Sequence, residues 1–163
     1  MIITVDLGPR SYDIVLEEGA RREVKELISS RAPRAKVAVI VTSKSLTNQP
    51  WFDVETGLRQ YVLEVPEGEA AKTLANLDDL LERMAVLELS REDVVVAVGG
   101  GAITDLAGFA AATYLRGIAL IQVPTSLVGQ VDAAIGGKTG VNLRAGKNLV
   151  GAFYQPLGVL CDF

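Results

Sequence analysis

The chain contains no histidine, a single cysteine (Cys161), one tryptophan and few aromatics, 6% of its residues. Without histidine, zinc–histidine sites, Ser-His-Asp triads and Cys-His pairs cannot be assembled from this chain alone. One cysteine excludes an internal disulfide framework and fits a reducing, cytoplasmic setting. Basic residues are not in excess: 16 Lys and Arg stand against 20 Asp and Glu, a net charge of −4. No global basic field therefore exists to hold nucleic acid. No apolar run approaches the roughly 18 residues of a membrane helix, and no basic start precedes a short apolar segment. Neither a membrane nor a leader peptide is expected. What is present is 163 residues, 49% of them hydrophobic and 22% charged. That suits one globular domain with a real core and excludes disorder.

The composition shifts near Asp93. From Val94 to Leu160 only Asp105, Arg116, Asp132, Lys138, Arg144 and Lys147 are charged, while 12 of the 16 glycines fall in the same stretch. Charges this scarce in an apolar segment are expected to have assigned partners.

Strand and helix patterns alternate. Residues 2–7 and 11–17 flank Gly8-Pro9 and read as an antiparallel hairpin. Residues 19–30 carry Val24, Leu27 and Ile28 at helical spacing. KVAVIVT, residues 36–42, is a β-branched run of the kind buried on both faces of a sheet. Residues 43–57 are less regular, with a short helix. Residues 61–65 form a strand, and Leu74, Leu77, Leu80, Leu81, Met84 and Leu87 mark an amphipathic helix. A strand over 94–98, a helix over 103–115 and a strand over 118–123 follow. The spacing predicts an α/β, Rossmann-like, mostly parallel sheet with helices on both faces and an N-terminal antiparallel hairpin.

Three segments can carry chemistry. In VVVAVGGGAITDLAG a buried strand ends in Gly99-Gly100-Gly101 and opens into a helix. Glycines let a ligand approach the backbone, and the helix N-terminus offers free N–H groups to a pyrophosphate. The string is not GxGxxG, and a plain tight turn is the competing explanation. Asp105, placed in the first turn, would complement the helix dipole or touch a ribose or nicotinamide group. The second segment, residues 123–156, begins with Thr125 and Ser126 at a strand's carboxyl end, where ligands sit in parallel sheets. Its polar exceptions are Asp132, Lys138, Lys147 and Asn148. Two lysines on glycine loops suit a phosphate or carboxylate substrate. A Walker P-loop is excluded, because GxxxxGK[ST] requires glycine where Asp132 stands. In the third segment, EVPEGEAAKTL, Glu69 and Lys72 read on residue type alone as a surface pair.

GGGAITDLAGFAAATYLRG (99–117), IQVPTSLVGQVDAAIGGKTGVN (121–142), GKNLVGAFYQP (146–156) and PEGEAAKTL (66–74) closely resemble 3-dehydroquinate synthase. The resemblance extends from the first hairpin to Phe163. It implies a lyase that uses NAD with no net redox change on 3-deoxy-D-arabino-heptulosonate 7-phosphate, in the shikimate pathway. A hydroxyl is oxidised, the acidified C–H lets phosphate leave, the ketone is reduced, and ring opening and an aldol close the carbocycle. By the same resemblance Glu67, Glu69, Lys72, Gly100, Gly101, Ala102, Ile103, Thr104, Asp105, Thr125, Ser126, Lys138 and Lys147 would line the NAD. Asp132, Lys138 and Asn148 would face the phosphorylated substrate, and Arg116 would reach the substrate phosphate of a neighbouring subunit in a homodimer.

The family enzyme is about twice as long, with a helical second half that carries the zinc or cobalt ligands, one glutamate and two histidines. Residues 1–163 are thus expected to be the NAD-binding N-terminal domain, inactive alone and without metal ligands. Two departures stand out. Thr104 replaces a glycine, and its hydroxyl could bond a phosphate. Ser43 and Ser45, beside Lys44, replace an acid and an asparagine that read the adenosine ribose. Another sugar-phosphate cyclase, making a valiolone, deoxyinosose or aminodehydroquinate skeleton, and a non-catalytic dinucleotide-binding module are the competing readings.

Overall fold

Runs of β-branched residues become the inner strands of a seven-stranded sheet in the computed structural model, which describes residues 1–163. The strands are β1 (Ile2–Val5), β2 (Tyr12–Leu16), β3 (Val37–Ser43), β4 (Arg59–Val65), β5 (Val94–Gly99), β6 (Ala119–Pro124) and β9 (Gly158–Cys161). Their order is β1-β2-β9-β6-β5-β3-β4. Only the β1–β2 hairpin is antiparallel. Every residue of β5 is buried, as expected for a central strand covered on both faces.

Helices cover the two faces unequally. Helices α3 (Leu74–Val86) and α4 (Gly101–Thr113) pack on Val39, Val41, Val95, Ala97 and Leu120. Helix α1 (Val24–Arg31), entered through a 3-10 turn at Ala20–Glu23, covers Ile40, Val94, Val96, Ile121 and Leu160. Alternate residues of β5 thus feed two cores, the period-2 rule for strands. The single cysteine is buried and free in a small third cluster with Tyr12, Ile14 and Val159. A short helix, α2 (Lys44–Thr47), follows β3 where the sequence pattern places one. No helix is long and apolar enough to cross a membrane.

The placing of Lys138 and Lys147 on glycine loops is overturned. Lys138–Leu143 (β7) and Gly146–Phe153 (β8) pair as an antiparallel hairpin lying on α4 outside the main sheet. Glycine raises the cost of a strand, but here it permits close approach. Gly140 stands opposite Gly151. A Cβ on Gly108 of α4 would come within 2.5 Å of Thr139 Cγ2. Helix α4 begins two residues earlier than residue 103 and ends at Thr113. The last strand, β9, has no counterpart in the sequence reading.

Order at the sheet's lower edge depends on one acid. Asp93, 3% exposed, accepts the N–H groups of Lys36 (3.0 Å), Val37 (2.8 Å) and Ser90 (2.7 Å) and the Ser90 hydroxyl (2.9 Å). Burial pushes this carboxyl up, but the hydrogen bonds from Ser90, Lys36 and Val37 outweigh it and hold the group below the usual carboxylate range. A lowered folded pKa stabilises above the unfolded value and is lost as pH falls through the folded one. Asp93→Ala removes the acceptor of three part-buried backbone N–H groups and should cost about 3 kcal/mol in urea unfolding at neutral pH. The wild-type advantage over this variant should shrink below about pH 4.

Candidate functional site

The chain runs from β3 outward to β4, then returns to the other side of β3 as β5 and continues to β6. The carboxyl ends of β3 and β5 therefore flank a topological switch point, where α/β sheets form ligand crevices. A crevice of about 380 Å³ opens there, lined by Ser43, Ser45, Glu67, Glu69, Gly100–Ile103 and Thr125. Gly100 caps α4, and the first helical bonds run from Ile103 and Thr104 N–H to its carbonyl. The N–H groups of Gly101 and Ala102 precede that ladder and stay free for an anion. A Cβ on Gly101 would come within 3.0 Å of Ala133 Cβ. A side chain at Gly101 would therefore be crowded, and glycine there keeps the start of the helix as bare backbone. Ser126 lies behind it, its hydroxyl accepting Gly129 N–H at 3.2 Å.

A second cleft, also about 380 Å³, lies between α4 and the β7–β8 hairpin. Asp105, Asp132, Lys138, Thr139, Asn148 and Phe153 line it. Asp132 comes from a π-helical turn at Gly129–Ala133, and Lys138 is the first residue of β7. Their side chains meet across the mouth and remain largely exposed. Folding thus brings Asp132, Lys138, Asn148 and Asp105 to one cleft.

Between the clefts sits Lys72, which is 4% exposed and not the surface residue its type suggests. Its ammonium donates to Asp105 Oδ2 at 2.6 Å and to Asn148 Oδ1; Glu69 is farther, at 3.9 Å. Asp105 stands one turn inside α4 rather than in the first turn, so it answers Lys72 and not the helix dipole. Burial pushes its carboxyl above the usual range, against the pull of Lys72.

Asn142 closes this ring and is the residue the sequence reading missed. Its N–H donates to the Lys72 carbonyl (2.9 Å), its Nδ2 to Glu69 Oε1 (2.7 Å), and its Oδ1 accepts Asn148 N–H (2.9 Å). Asn148 needs this, because its φ of +58° is left-handed. The hydrogen bond from Asn142 holds Glu69 below the usual carboxylate range; Lys72 and Lys147 add to it, while burial opposes. The position of Asn142 directly after GGKTGV was the available signal.

Three expected site residues lie elsewhere. Thr104 is fully buried and donates its hydroxyl to the Gly101 carbonyl at 2.9 Å, so it meets no phosphate. Helical geometry turns it inward. Lys147 is 75% exposed and touches the site only through Glu69, at 3.9 Å. Arg116 sits at the far end of α4, about 20 Å of helix from Gly101. Its turn is strained, with positive φ at Leu115, Arg116 and Gly117. The metal implied by the sequence resemblance finds no donor set: no three His, Cys, Asp or Glu converge. The residues present do not compose a metal centre.

Fold and crevice together define a doubly wound α/β domain with a glycine-lined crevice at its switch point and a lysine-bearing cleft beside it. The family model for the N-terminal part of 3-dehydroquinate synthase matches residues 62–163. The chain belongs to the 3-dehydroquinate synthase family. It is 45% identical to 3-dehydroquinate synthase of Nitrobacter winogradskyi, over 98% of this chain and 43% of that protein. It is 49% identical to the Thermobifida fusca enzyme, over 93% of this chain and 41% of the other. A crystal structure of 2-deoxy-scyllo-inosose synthase with carbaglucose-6-phosphate, NAD+ and Co2+ superposes with a TM-score of 0.85 at 30% identity. That match covers 99% of this chain and 46% of the other. The chain thus spans under half the length of these relatives.

The ring predicts a specific response to Asn142→Leu. Loss of the amide should move the Glu69 carboxyl titration upward toward the ordinary glutamate value, read by NMR against pH. Stability should fall by roughly 1–2 kcal/mol, as for lost hydrogen bonds with partly exposed partners. An unmoved Glu69 titration would refute the assigned ring.

Proposed function

We propose that residues 1–163 form the NAD-binding domain of a 3-dehydroquinate synthase acting on 3-deoxy-D-arabino-heptulosonate 7-phosphate. The single observation that carries this is the buried Lys72, which joins the glycine cradle to the lysine-bearing cleft through Asp105, Asn148 and Glu69. NAD, when bound, supplies a hydride acceptor that gives the hydride back. The chain's own residues do the rest by holding charge and geometry. Gly101 and Ala102 N–H groups take the pyrophosphate at the helix N-terminus. Glu69 borders the same crevice with Lys147 behind it at 3.9 Å, and Thr125 closes its β6 side.

In the adjoining cleft Lys138 is the point charge for the substrate phosphate, and its partner Asp132 accepts from a substrate hydroxyl once the pair parts. An exposed ion pair is worth only about 0–1 kcal/mol, so an incoming dianion can separate it. Asn148 offers its amide to substrate from a backbone already fixed by Asn142. Arg116, remote on its own chain, is assigned to the site of a second subunit in a homodimer. The second reading is another sugar-phosphate cyclase, favoured by the superposition on 2-deoxy-scyllo-inosose synthase. Both readings use the same crevice; they differ in the sugar phosphate.

Kinetics of the enzyme that carries this domain test the assignment. Lys138→Gln should lower phosphate release at least tenfold, the loss of an ion-assisted hydrogen bond worth roughly 1.5–3 kcal/mol. Its melting should barely move, since an exposed substitution shifts stability by about 0.5 kcal/mol or less. Lys147→Gln should act on NAD affinity instead. Wild-type turnover in Lys138→Gln would overturn the catalytic assignment. Comparing the heptulosonate phosphate with glucose 6-phosphate separates the two cyclase readings.

The 163-residue chain is expected to bind NAD in calorimetry and to release no phosphate from the heptulosonate. Phosphate release above the enzyme-free rate would contradict that expectation.

A further inference from the structure

The switch-point crevice has an uneven distribution of charge. In doubly wound folds an acid near the end of the neighbouring strand accepts the ribose 2′-hydroxyl of a dinucleotide. The end of β3 instead holds Ser43, Lys44 and Ser45. The two serines line the crevice and Lys44 between them does not. Their hydroxyls lie 3.1 Å apart, and Ser43 is buried.

A carboxylate nevertheless reaches this place, from the next strand. Glu67, just past β4, accepts Ser45 N–H at 3.2 Å through Oε1. Only one of its two oxygens is occupied by that bond, and the side chain is exposed along the crevice. The other acid lining the crevice, Glu69, is flanked by Lys72 and Lys147, each at 3.9 Å. Glu67 has no cation at salt-bridge distance. The β3 end of the crevice therefore carries one uncompensated negative charge and no lining cation.

We propose that Glu67 is the specificity-determining residue for the adenosine ribose: its free oxygen accepts a ribose hydroxyl and its charge excludes a 2′-phosphate. The proposal rests on the reading of this crevice as a dinucleotide site. It moves the discriminating acid from the end of β3 to the end of β4, with the Ser45 N–H fixing it in place. A 2′-phosphate carries about −1.5 to −2 charges at neutral pH and would meet that carboxylate with nothing to neutralise either. Lys44, beside the two serines, is exposed, lies off the lining and makes no ion pair with Glu67.

Titration calorimetry of this chain with NADH and with NADPH tests the proposal. NADH should bind at least about tenfold more tightly. Glu67→Gln keeps an acceptor oxygen for Ser45 N–H and should strengthen NADPH at least about fivefold, closing most of the gap. Glu67→Ala should do the same, which guards against a local effect of the amide, and thermal melts of both variants check the fold. Lys44→Gln should leave the ratio unchanged. Equal affinities in the wild type, or a ratio that neither Glu67 variant moves, would overturn the assignment of Glu67 while leaving the dinucleotide site intact. Absence of binding by either nucleotide would overturn the site itself and this proposal with it.

Discussion

A buried ammonium group cannot stay in a protein interior unless hydrogen bonds and an opposite charge replace its water. Lys72 meets that demand with groups from two other elements, Asp105 on α4 and Asn148 on β8. Its own segment leads from β4 into α3. The constraint therefore ties the sheet's outer strand, the central helix and the outer hairpin to one atom. Removing Asp105 would leave the buried ammonium without its close counter-charge, typically a loss of about 3–5 kcal/mol, and removing Asn148 would take away the hydrogen bond that joins the hairpin to it. The burial that raises the Asp105 carboxyl is the other side of the same bargain.

Most of the main sheet is legible in the sequence because buried parallel strands write themselves as β-branched runs. KVAVIVT and VVVAV are such runs, and α3 has the stripe of an amphipathic helix. The outer hairpin is not legible for a physical reason. Lysine, glycine and asparagine are poor strand formers, and their pairing is decided by contact with α4, where Gly108 leaves room for Thr139. Propensity cannot foresee a partner that comes from thirty residues away.

The site shows the same division. Glycines at a strand-to-helix junction leave bare backbone N–H groups by local chemistry, and a crevice lies at that junction. Lys72 was misread because burial is a tertiary property: one side chain type serves as a solvated surface charge or as a buried tie. Asp105 falls in the second turn and not the first, because the helix starts two residues earlier, on glycine, a poor helix former. Asn142 escaped notice since nothing in its type distinguishes it from a turn residue; three hydrogen bonds give it its role. Thr104 shows the reverse case, where a plausible hydroxyl is turned inward by the helix.

The two lysine–carboxylate pairs of the clefts differ in the one property that decides what each can do. Lys72 and Asp105 are 5% and 17% exposed at the side chain, Lys138 and Asp132 45% and 66%. Desolvation makes the first pair costly to break, so it holds shape through any cycle of ligand binding. Water screens the second pair to about 1 kcal/mol or less, so its partners can be exchanged for a phosphate and a hydroxyl at little loss. A fixed charge and an exchangeable charge thus both lie near Asn148, which accepts from Lys72 and is held at φ +58° by Asn142. The rigid pair sets where the exchangeable pair must deliver a ligand. Parting the exposed pair therefore costs the domain's own folding little, since the buried pair carries that constraint.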